Sequence, residues 1–80
     1  MKAKIHVTFK EGVLDPQGKA VRNALGSLGF DGIDRVRQGK FIEIDLQEND
    51  AEKARSSVKE MCEQLLANTV IENYAIDIIE

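Results

Sequence analysis

The sequence predicts a small two-layer α+β sandwich, with helices packed on a short β-sheet. Three observations lead to this prediction: two segments carry apolar residues at helical spacing, other segments alternate apolar and polar residues, and the chain has only 80 residues. A chain of this length forms one domain and buries roughly 60% of the surface that its unfolded form exposes. We therefore expect a single domain over residues 1–80, with one small core and little room for a deep catalytic cleft.

The N-terminal part of the chain predicts a strand followed by a helix. Residues 3–10 alternate strictly between apolar and polar, which is typical of a half-buried strand. Asp15 can cap a helix by accepting backbone N–H bonds, and Pro16 suits the first helical position. The helix is expected to run to about Leu28 and to stop at Gly29, with Gly26 weakening it unless close packing requires that glycine. Its apolar stripe consists of Ala20, Val21, Ala24, Leu25 and Leu28.

The middle of the chain, residues 33–47, is strand-like with a break. Ile42, Ile44 and Leu46 alternate with acidic residues after the break, which is typical of a half-buried strand. Gly39 indicates either a tight hairpin or a bulged bend in one long strand. The sequence leaves both readings open.

Residues 50–67 predict a second amphipathic helix. Asn49 or Asp50 is expected to cap it, and Asn49 with Glu52 resembles a capping box. Asn68 is a suitable stop, because Asn tolerates the left-handed conformation. The predicted buried arc spans about 140° at about 100° per residue and contains Ala51, Ala54, Val58, Met61, Cys62, Leu65 and Leu66.

The last segment, Val70 to Ile79, predicts a strand with apolar residues on both faces. Tyr74 shares one face with Ile76 and Ile78, whereas Ala75 and Ile79 lie on the other. Because one helix layer covers only one face, a second copy of the chain is the simplest cover for the other; scattered apolar exposure is the alternative. The element order, strand-helix-strand(-strand)-helix-strand, is of the ferredoxin-like type.

Composition excludes several classes of protein. The formal charge of −3 argues against nucleic-acid binding, which requires a concentrated basic face, and only Arg35, Arg37 and Lys40 cluster. No apolar run is long enough for a membrane span, and the N-terminus does not read as a signal peptide. The single cysteine, Cys62, excludes an internal disulfide framework and favours a reducing, cytoplasmic location.

Few residues of the chain suit catalysis or metal binding. His6 has no nucleophile in a recognisable setting, and Cys62 lies in the predicted apolar arc, where a thiol is inert. One Cys and one His cannot supply a zinc site. Gly12 to Ala20 resembles a phosphate loop, but five residues separate its glycines and Ala20 replaces the magnesium-binding hydroxyl. A helix entry explains that segment without a nucleotide.

Four segments together carry a resemblance that covers essentially the whole chain. In order, they are Gly12–Gly18, Val36–Lys40, Met61–Cys62 and Leu65–Tyr74. The ordered set resembles the PurS family, the small subunit of phosphoribosylformylglycinamidine (FGAM) synthase. The resemblance implies a PurS-like fold and a homodimer or tetramer.

The resemblance also implies a role in purine biosynthesis. A large ATP-dependent synthetase subunit and a glutaminase subunit would be bridged by this chain, which assists ammonia transfer as formylglycinamide ribonucleotide is converted to the amidine. This chain is then a non-catalytic subunit that binds no cofactor, no nucleic acid and no membrane, while the complex uses ATP, magnesium and glutamine. The expected partner-interface residues lie in the family-like loops and strand: Asp15, Gln17, Arg37, Gly39, Lys40, Asn68 and Tyr74.

Two other functions compete with this subunit role. A regulatory domain of the same fold order would bind an amino acid near the loop 12–18. A small independent enzyme would have to use His6. Binding of amino acids to the isolated chain would support the first alternative, and turnover by the purified chain would support the second.

Overall fold

The computed structural model describes the whole chain, residues 1–80, as a three-stranded sheet with two α-helices. The predicted element order is confirmed, with one strand rather than two in the middle of the chain. The elements are β1 (Lys2–Phe9), α1 (Pro16–Ser27), β2 (Lys40–Asp45), α2 (Ala51–Met61), a π-helical turn (Cys62–Leu66) and β3 (Glu72–Ile79).

The sheet has the strand order β2-β1-β3, and both neighbours of β1 are antiparallel to it. Ile5, at the centre of β1, lies opposite Ile42 of β2 and Ile76 of β3. Because side chains alternate between the two faces of a strand, the odd-numbered residues Ala3, Ile5 and Val7 share one face and are all buried. This face carries the core.

Helix α2 covers the core face of the sheet. Val58 and Cys62 are fully buried against β1, and the helix packs on β1 and β3. Asp50 is the N-cap, since its Oδ1 accepts hydrogen bonds from the backbone N–H groups of Glu52 (2.9 Å) and Lys53 (3.3 Å). The predicted capping box at Asn49 is therefore wrong.

The C-terminal end of the second helix differs from the prediction because it changes to a π turn. The backbone N–H of Ala67 donates to the carbonyl of Cys62, five residues earlier. Each residue of a π turn rotates less about the axis than in an α-helix, so the apolar arc no longer stays aligned. Leu66 packs against the core, but Leu65, which the arc placed inside, is 83% exposed. No left-handed cap forms at Asn68, since only glycines have positive φ.

Residues 12–38 form an arm that extends away from the sheet. The arm contains the loop before α1, the helix itself and most of the returning segment, which we define as residues 30–39 between α1 and β2. It makes no extensive contact with α2. The chain has a radius of gyration of 15.9 Å, whereas a compact 80-residue domain has about 12 Å. Apart from Gly18, no residue of α1 is buried. The helix layer over the sheet therefore consists of α2 alone within one protomer.

The ends of α1 agree with the prediction. Asp15 caps it, Pro16 is its first residue, and Gly29 follows it with φ +95°. A Cβ at Gly26 would meet nothing within 4 Å, so close packing does not explain that glycine in one protomer.

The break in the middle segment is neither a hairpin nor part of a long strand within the protomer. Residues 30–39 pair with no strand, and β2 begins only at Lys40. A Cβ at Gly39 would overlap the carbonyl oxygen of Val7, so glycine is required where the returning segment meets β1. None of the helices combines the length and apolar character needed to cross a membrane.

Candidate protein-interaction surface

The residues predicted to contact partners lie at one end of the sheet. β1 ends there and β3 begins there, with Phe9 opposite Glu72. The loop before α1, the returning segment and the turn before β3 all meet at this end, which we call the loop end of the sheet. The backbone N–H of Lys10 donates to the carbonyl of Ile71 (2.9 Å) and joins two of these loops.

Asp15 joins the start of α1 to the returning segment. Its Oδ1 accepts a hydrogen bond from the backbone N–H of Gly18 (2.9 Å), and its Oδ2 accepts one from that of Gln38 (3.0 Å). The Gln38 bond and then the Gly18 bond hold the pKa of the Asp15 carboxyl below its usual range, with nearby Arg37 acting in the same direction. A Cβ at Gly18 would overlap the carbonyl oxygen of Val36, so the two segments touch backbone to backbone.

The two arginines of the returning segment fix it to the end of β1. Arg37 Nη2 donates to the carbonyl of Phe9 (2.7 Å). Arg35 binds Glu11 through its two terminal guanidinium nitrogens, Nη1 at 3.0 Å and Nη2 at 3.1 Å, and this hydrogen bond lowers the pKa of the Glu11 carboxyl. Arg37 thus has a structural role inside the chain in addition to any contact with a partner.

A cavity of about 180 Å³ lies between the arm and the sheet. Gln17, Gly39 and Lys40, three of the predicted interface residues, line it together with Gln38 and Glu72. Lys40 Nζ lies 3.9 Å from Glu72 Oε2, and the Lys40 side chain is largely exposed. Gln17 and Lys40 are therefore the predicted residues whose polar ends are most available at this cavity.

Glu72 is the residue of this surface that the sequence analysis missed. Its side chain is only 12% exposed, and its Oε1 accepts a hydrogen bond from the backbone N–H of Asn68 (2.6 Å). It also lines a second cleft, of about 320 Å³. One signal was present in the sequence: Glu72 has the same strand parity as Tyr74 and Ile76, so alternation places this carboxylate on the core face.

Tyr74 connects β3 to the end of α2. Its hydroxyl donates to Glu63 Oε2 at 2.5 Å, and this bond raises the pKa of Tyr74 to about 12. Both residues line the second cleft, together with Lys10, Thr69, Glu72 and Asn73. Asn68 shapes the preceding turn, since its Oδ1 accepts a bond from the Val70 N–H (3.2 Å).

The two residues considered for catalysis lie elsewhere. His6 is exposed on the open face of the sheet, with its ring 4.7 Å from that of Phe41. Cys62 is buried under α2, and burial raises the pKa of its thiol. No three His, Cys, Asp or Glu side chains are grouped as metal ligands. The loop end is built from hydrogen-bonded loops and exposed polar side chains at one end of a small α+β domain.

Comparison with known proteins identifies the family. Residues 2–80 match the PurS family, described as phosphoribosylformylglycinamidine (FGAM) synthase. A Synechocystis relative, named as the PurS subunit of that synthase, is 51% identical over 94% of this chain and 75% of its own length. The chain belongs to the PurS family. The resemblance inferred from the sequence is thereby confirmed.

Solved structures confirm the fold. The structure of Bacillus subtilis PurS has a TM-score of 0.87 and 48% identity, covering 99% of this chain and 98% of the other. A chain in the structure of PurLQS from Thermotoga maritima has a TM-score of 0.86 and 33% identity, covering 95% and 93%. The amino-acid-binding regulatory domain, which the sequence left open, is not favoured by these matches.

Proposed function

We propose that this chain is the PurS subunit of an FGAM synthase in purine biosynthesis. In this proposal it bridges the large ATP-dependent synthetase subunit and the glutaminase subunit, and it assists the passage of ammonia between them. The observation that carries the proposal is the likeness, over nearly the whole chain, to a chain of the Thermotoga maritima PurLQS structure. Catalysis, with ATP, magnesium and glutamine, then belongs to the partner subunits, and the location is cytoplasmic.

The loop end supplies one surface suited to such contacts. Asp15, Arg37 and Gly39 hold its loops in place through hydrogen bonds and close backbone packing. Preorganised loops lose less conformational entropy on binding, which favours affinity. Gln17 and Lys40 present their polar ends beside the cavity and are the residues proposed to touch a partner directly.

Self-association is the second part of the proposal, and the arm supports it. The stripe of α1 is unpartnered, with Leu28 73% exposed and Val21 exposed beside it. On the core face, α2 packs over β1 and β3, while Ile42 and Ile44 of β2 stay only half-buried. If α1 of a second copy lay over β2, it would bury both apolar surfaces and complete a two-helix layer. We therefore propose a homodimer as the basic unit, and the pairing of two dimers would give a tetramer.

The bridging role is tested by reconstitution. The chain is mixed with a large synthetase subunit and a glutaminase, and glutamine-dependent amidation of formylglycinamide ribonucleotide is compared with and without it. We expect activity to require the chain. Full glutamine-dependent activity in its absence would contradict the bridging role.

A control separates bridging from a general effect on the synthetase. An ammonium salt can replace glutamine as the nitrogen source and so bypass the glutaminase. We expect omission of the chain to lower the rate of this ammonium-driven reaction less than it lowers the rate of the glutamine-driven one. Arg37→Ala and Lys40→Ala are then tested for binding to the large subunit, and unchanged assembly would remove these two residues from the proposed interface.

The dimer is tested by the mass in solution, which should be at least twice the 8.9 kDa of one protomer. Ala24→Glu places a charge on the α1 stripe and should shift the protein towards the monomer. Asn23→Glu places the same charge outside the stripe, about 130° from its centre at about 100° per residue, and should leave the mass unchanged. A wild-type monomer at micromolar concentration would contradict the proposal.

A further inference from the structure

The outer edge of β2 carries backbone groups that the chain itself leaves unpaired. Leu46 donates its N–H to the carbonyl of Met1 (2.7 Å), and the amino group of Met1 donates to the carbonyl of Leu46 (3.3 Å). Because hydrogen-bonded pairs alternate along an antiparallel ladder, the even-numbered residues of β2 bond to β1. The N–H and C=O groups of Phe41, Glu43 and Asp45 therefore point away from the sheet, and no other strand lies beside them.

The opposite edge of the sheet, along β3, is partly covered by α2. The N–H of Lys10 donates to the carbonyl of Ile71, so the same alternation directs the backbone of the even-numbered residues of β3 outwards. Arg55 Nη1 reaches this edge from α2 and donates to the outward carbonyl of Ile76 (3.0 Å). A charged side chain over an edge strand hinders the addition of another strand. The edge that remains open to pairing is therefore that of β2.

The returning segment is a second stretch without a strand partner, and it cannot fold back on β2 of its own chain. It runs directly into β2 at Lys40. Arg37, three residues earlier, still lies beside the end of β1, where it donates to the carbonyl of Phe9 (2.7 Å). The chain thus continues past β2 without the turn that a hairpin requires. A strand that pairs with the outer edge of β2 must come from another chain.

The returning segment is joined to α1 on one side and is free on the other. Arg22 Nε donates to the carbonyl of Ile33 (3.0 Å), and the carbonyl of Val36 lies against the start of α1. The backbone N–H and C=O groups of Arg35 and Arg37 take part in none of these contacts. The segment can therefore offer these groups to a strand while α1 stays attached to it.

We propose that residues 33–37 of a second copy bind the outer edge of β2 as a fourth, antiparallel strand, and that the two copies exchange these segments mutually. Alternation places Arg35 and Arg37 on the open face of the sheet when Val36 lies on the core face with α1. On the open face they meet the acidic residues of β2, Glu43 and Asp45, from the other copy. The pair of Arg35 with Glu11 is exposed, so its exchange costs little.

This inference rests on the proposed homodimer and specifies how its two copies are joined. It agrees with the placement of α1 over β2 of the other copy, because α1 and the returning segment move together. Mutual exchange also brings residues 38–40 of both copies to the two-fold axis. The candidate interface residues Gly39 and Lys40 then come from both copies and form one composite surface for a larger subunit.

The first test is amide hydrogen exchange of the full-length wild-type protein, followed by NMR at a concentration where its mass is that of the dimer. Relative to intrinsic rates, the N–H groups of Phe41, Glu43 and Asp45 should exchange at least about tenfold more slowly than those of Ile76 and Ile78. Ile76 and Ile78 are the matched control, because their N–H groups also point outwards and Arg55 covers only a carbonyl. Equal rates at the two edges would overturn the proposal.

The second test identifies the strand by cross-linking. Glu43→Cys combined with Arg35→Cys, or with Arg37→Cys, should give a disulfide-linked dimer under mild oxidation, since a disulfide requires Cα atoms within about 7 Å. Asp77→Cys with Arg35→Cys is the control: Asp77 shares the open face with Glu43 but lies on β3, and this variant should stay uncrosslinked.

The outcomes separate this inference from the homodimer itself. A dimeric protein with unprotected β2 amides would overturn the strand exchange and leave the homodimer intact. Protection without a cross-link in either Glu43 variant would assign the edge to a different strand and would also overturn it. A wild-type monomer would overturn both the homodimer and the exchange.

Discussion

Two glycine-to-alanine substitutions, Gly39→Ala and Gly26→Ala, should change stability in opposite directions. At Gly39, the added Cβ would overlap the carbonyl oxygen of Val7 and lie 2.9 Å from Thr8 Cγ2. The carbonyl belongs to the central strand β1, which pairs on both sides and cannot move without disturbing both pairings. Gly26 lies on the side of α1 that faces away from the apolar stripe, and a Cβ there would meet nothing within 4 Å.

The expected magnitudes follow from these two environments. Overpacking a tight contact costs about 1–3 kcal/mol, so Gly39→Ala should lower the free energy of unfolding by that amount. Alanine is favoured over glycine inside a helix by up to about 1 kcal/mol, so Gly26→Ala should raise it. For a chain of 80 residues, 1 kcal/mol corresponds to about 4–8 °C in Tm. We therefore expect Tm to fall by roughly 10 °C in the first variant and to rise by a few degrees in the second.

The measurement is thermal and urea denaturation followed by circular dichroism, at equal protein concentration because self-association would also shift Tm. Gly26→Ala serves as the control for a general effect of the added methyl group. A Gly39→Ala variant as stable as the wild type would refute the close approach of the returning segment to β1. A destabilised Gly26→Ala variant would refute the open surroundings of α1.

Four further predictions concern the core, the thiol and the dependence of stability on pH. Ile5→Ala should lower the free energy of unfolding by about 2–5 kcal/mol in urea titrations, because a fully buried side chain leaves a cavity; an exposed site would give a value near zero. The Cys62 thiol should react slowly with a disulfide reagent in the native protein and rapidly in denaturant, since burial shields it and raises its pKa; equal rates would contradict its burial. The pKa of Tyr74 is raised to about 12. Its contribution to the stability of the folded state is therefore complete below the unfolded pKa near 10 and is lost as the pH rises through 12. Tyr74→Phe should therefore flatten the alkaline limb of a stability-versus-pH curve, and an unaltered limb would argue against the bond to Glu63. The pKa of Asp15 is lowered in the folded state. Its contribution to stability is therefore present above the unfolded pKa of about 4 and is lost as the pH falls through the folded pKa. Asp15→Asn should weaken the acid-induced loss of stability, and an identical acid limb would show that the two backbone bonds contribute nothing.

The candidate surface has consequences for how interface variants are interpreted. Arg37 bonds the carbonyl of Phe9, so Arg37→Ala can weaken assembly by loosening the returning segment as well as by removing a contact. Lys40 has a single distant partner in Glu72, at 3.9 Å, and its replacement disturbs the chain less. A loss of assembly in Lys40→Ala is therefore the more direct sign of a partner contact.

Sequence reasoning located the elements correctly wherever the signal was local. Asp15 and Pro16 marked the start of α1, and Gly29 marked its end, because caps and glycine conformations depend on a few neighbouring residues. The alternation of Tyr74, Ile76 and Ile78 gave the correct inner face of β3. In the second helix, the helical period predicted the wrong side only for Leu65, where one i→i+5 bond changed the rotation of the backbone.

The candidate site was predicted as a set of segments but not as an arrangement. Asp15, Gln17, Gly39 and Lys40 come from two distant parts of the chain, and only the fold brings them to one end of the sheet. Glu72 was missed because an inward-facing carboxylate at the start of a strand looks like an ordinary polar turn residue. Its partners, the Asn68 N–H and Lys40, are identified only when the turn and β2 are placed beside it.

The sequence by itself determined the class of fold, the family and the starts of both helices, since these depend on local periodicity, capping and an ordered set of motifs over 80 residues. Only the tertiary structure decided where α1 lies, because an apolar stripe specifies that a helix must be covered but not by what. It showed an arm that leaves Val21 and Leu28 exposed and a π turn that places Leu65 outside. Both outcomes depend on long-range packing and on backbone bonds that no residue pattern encodes.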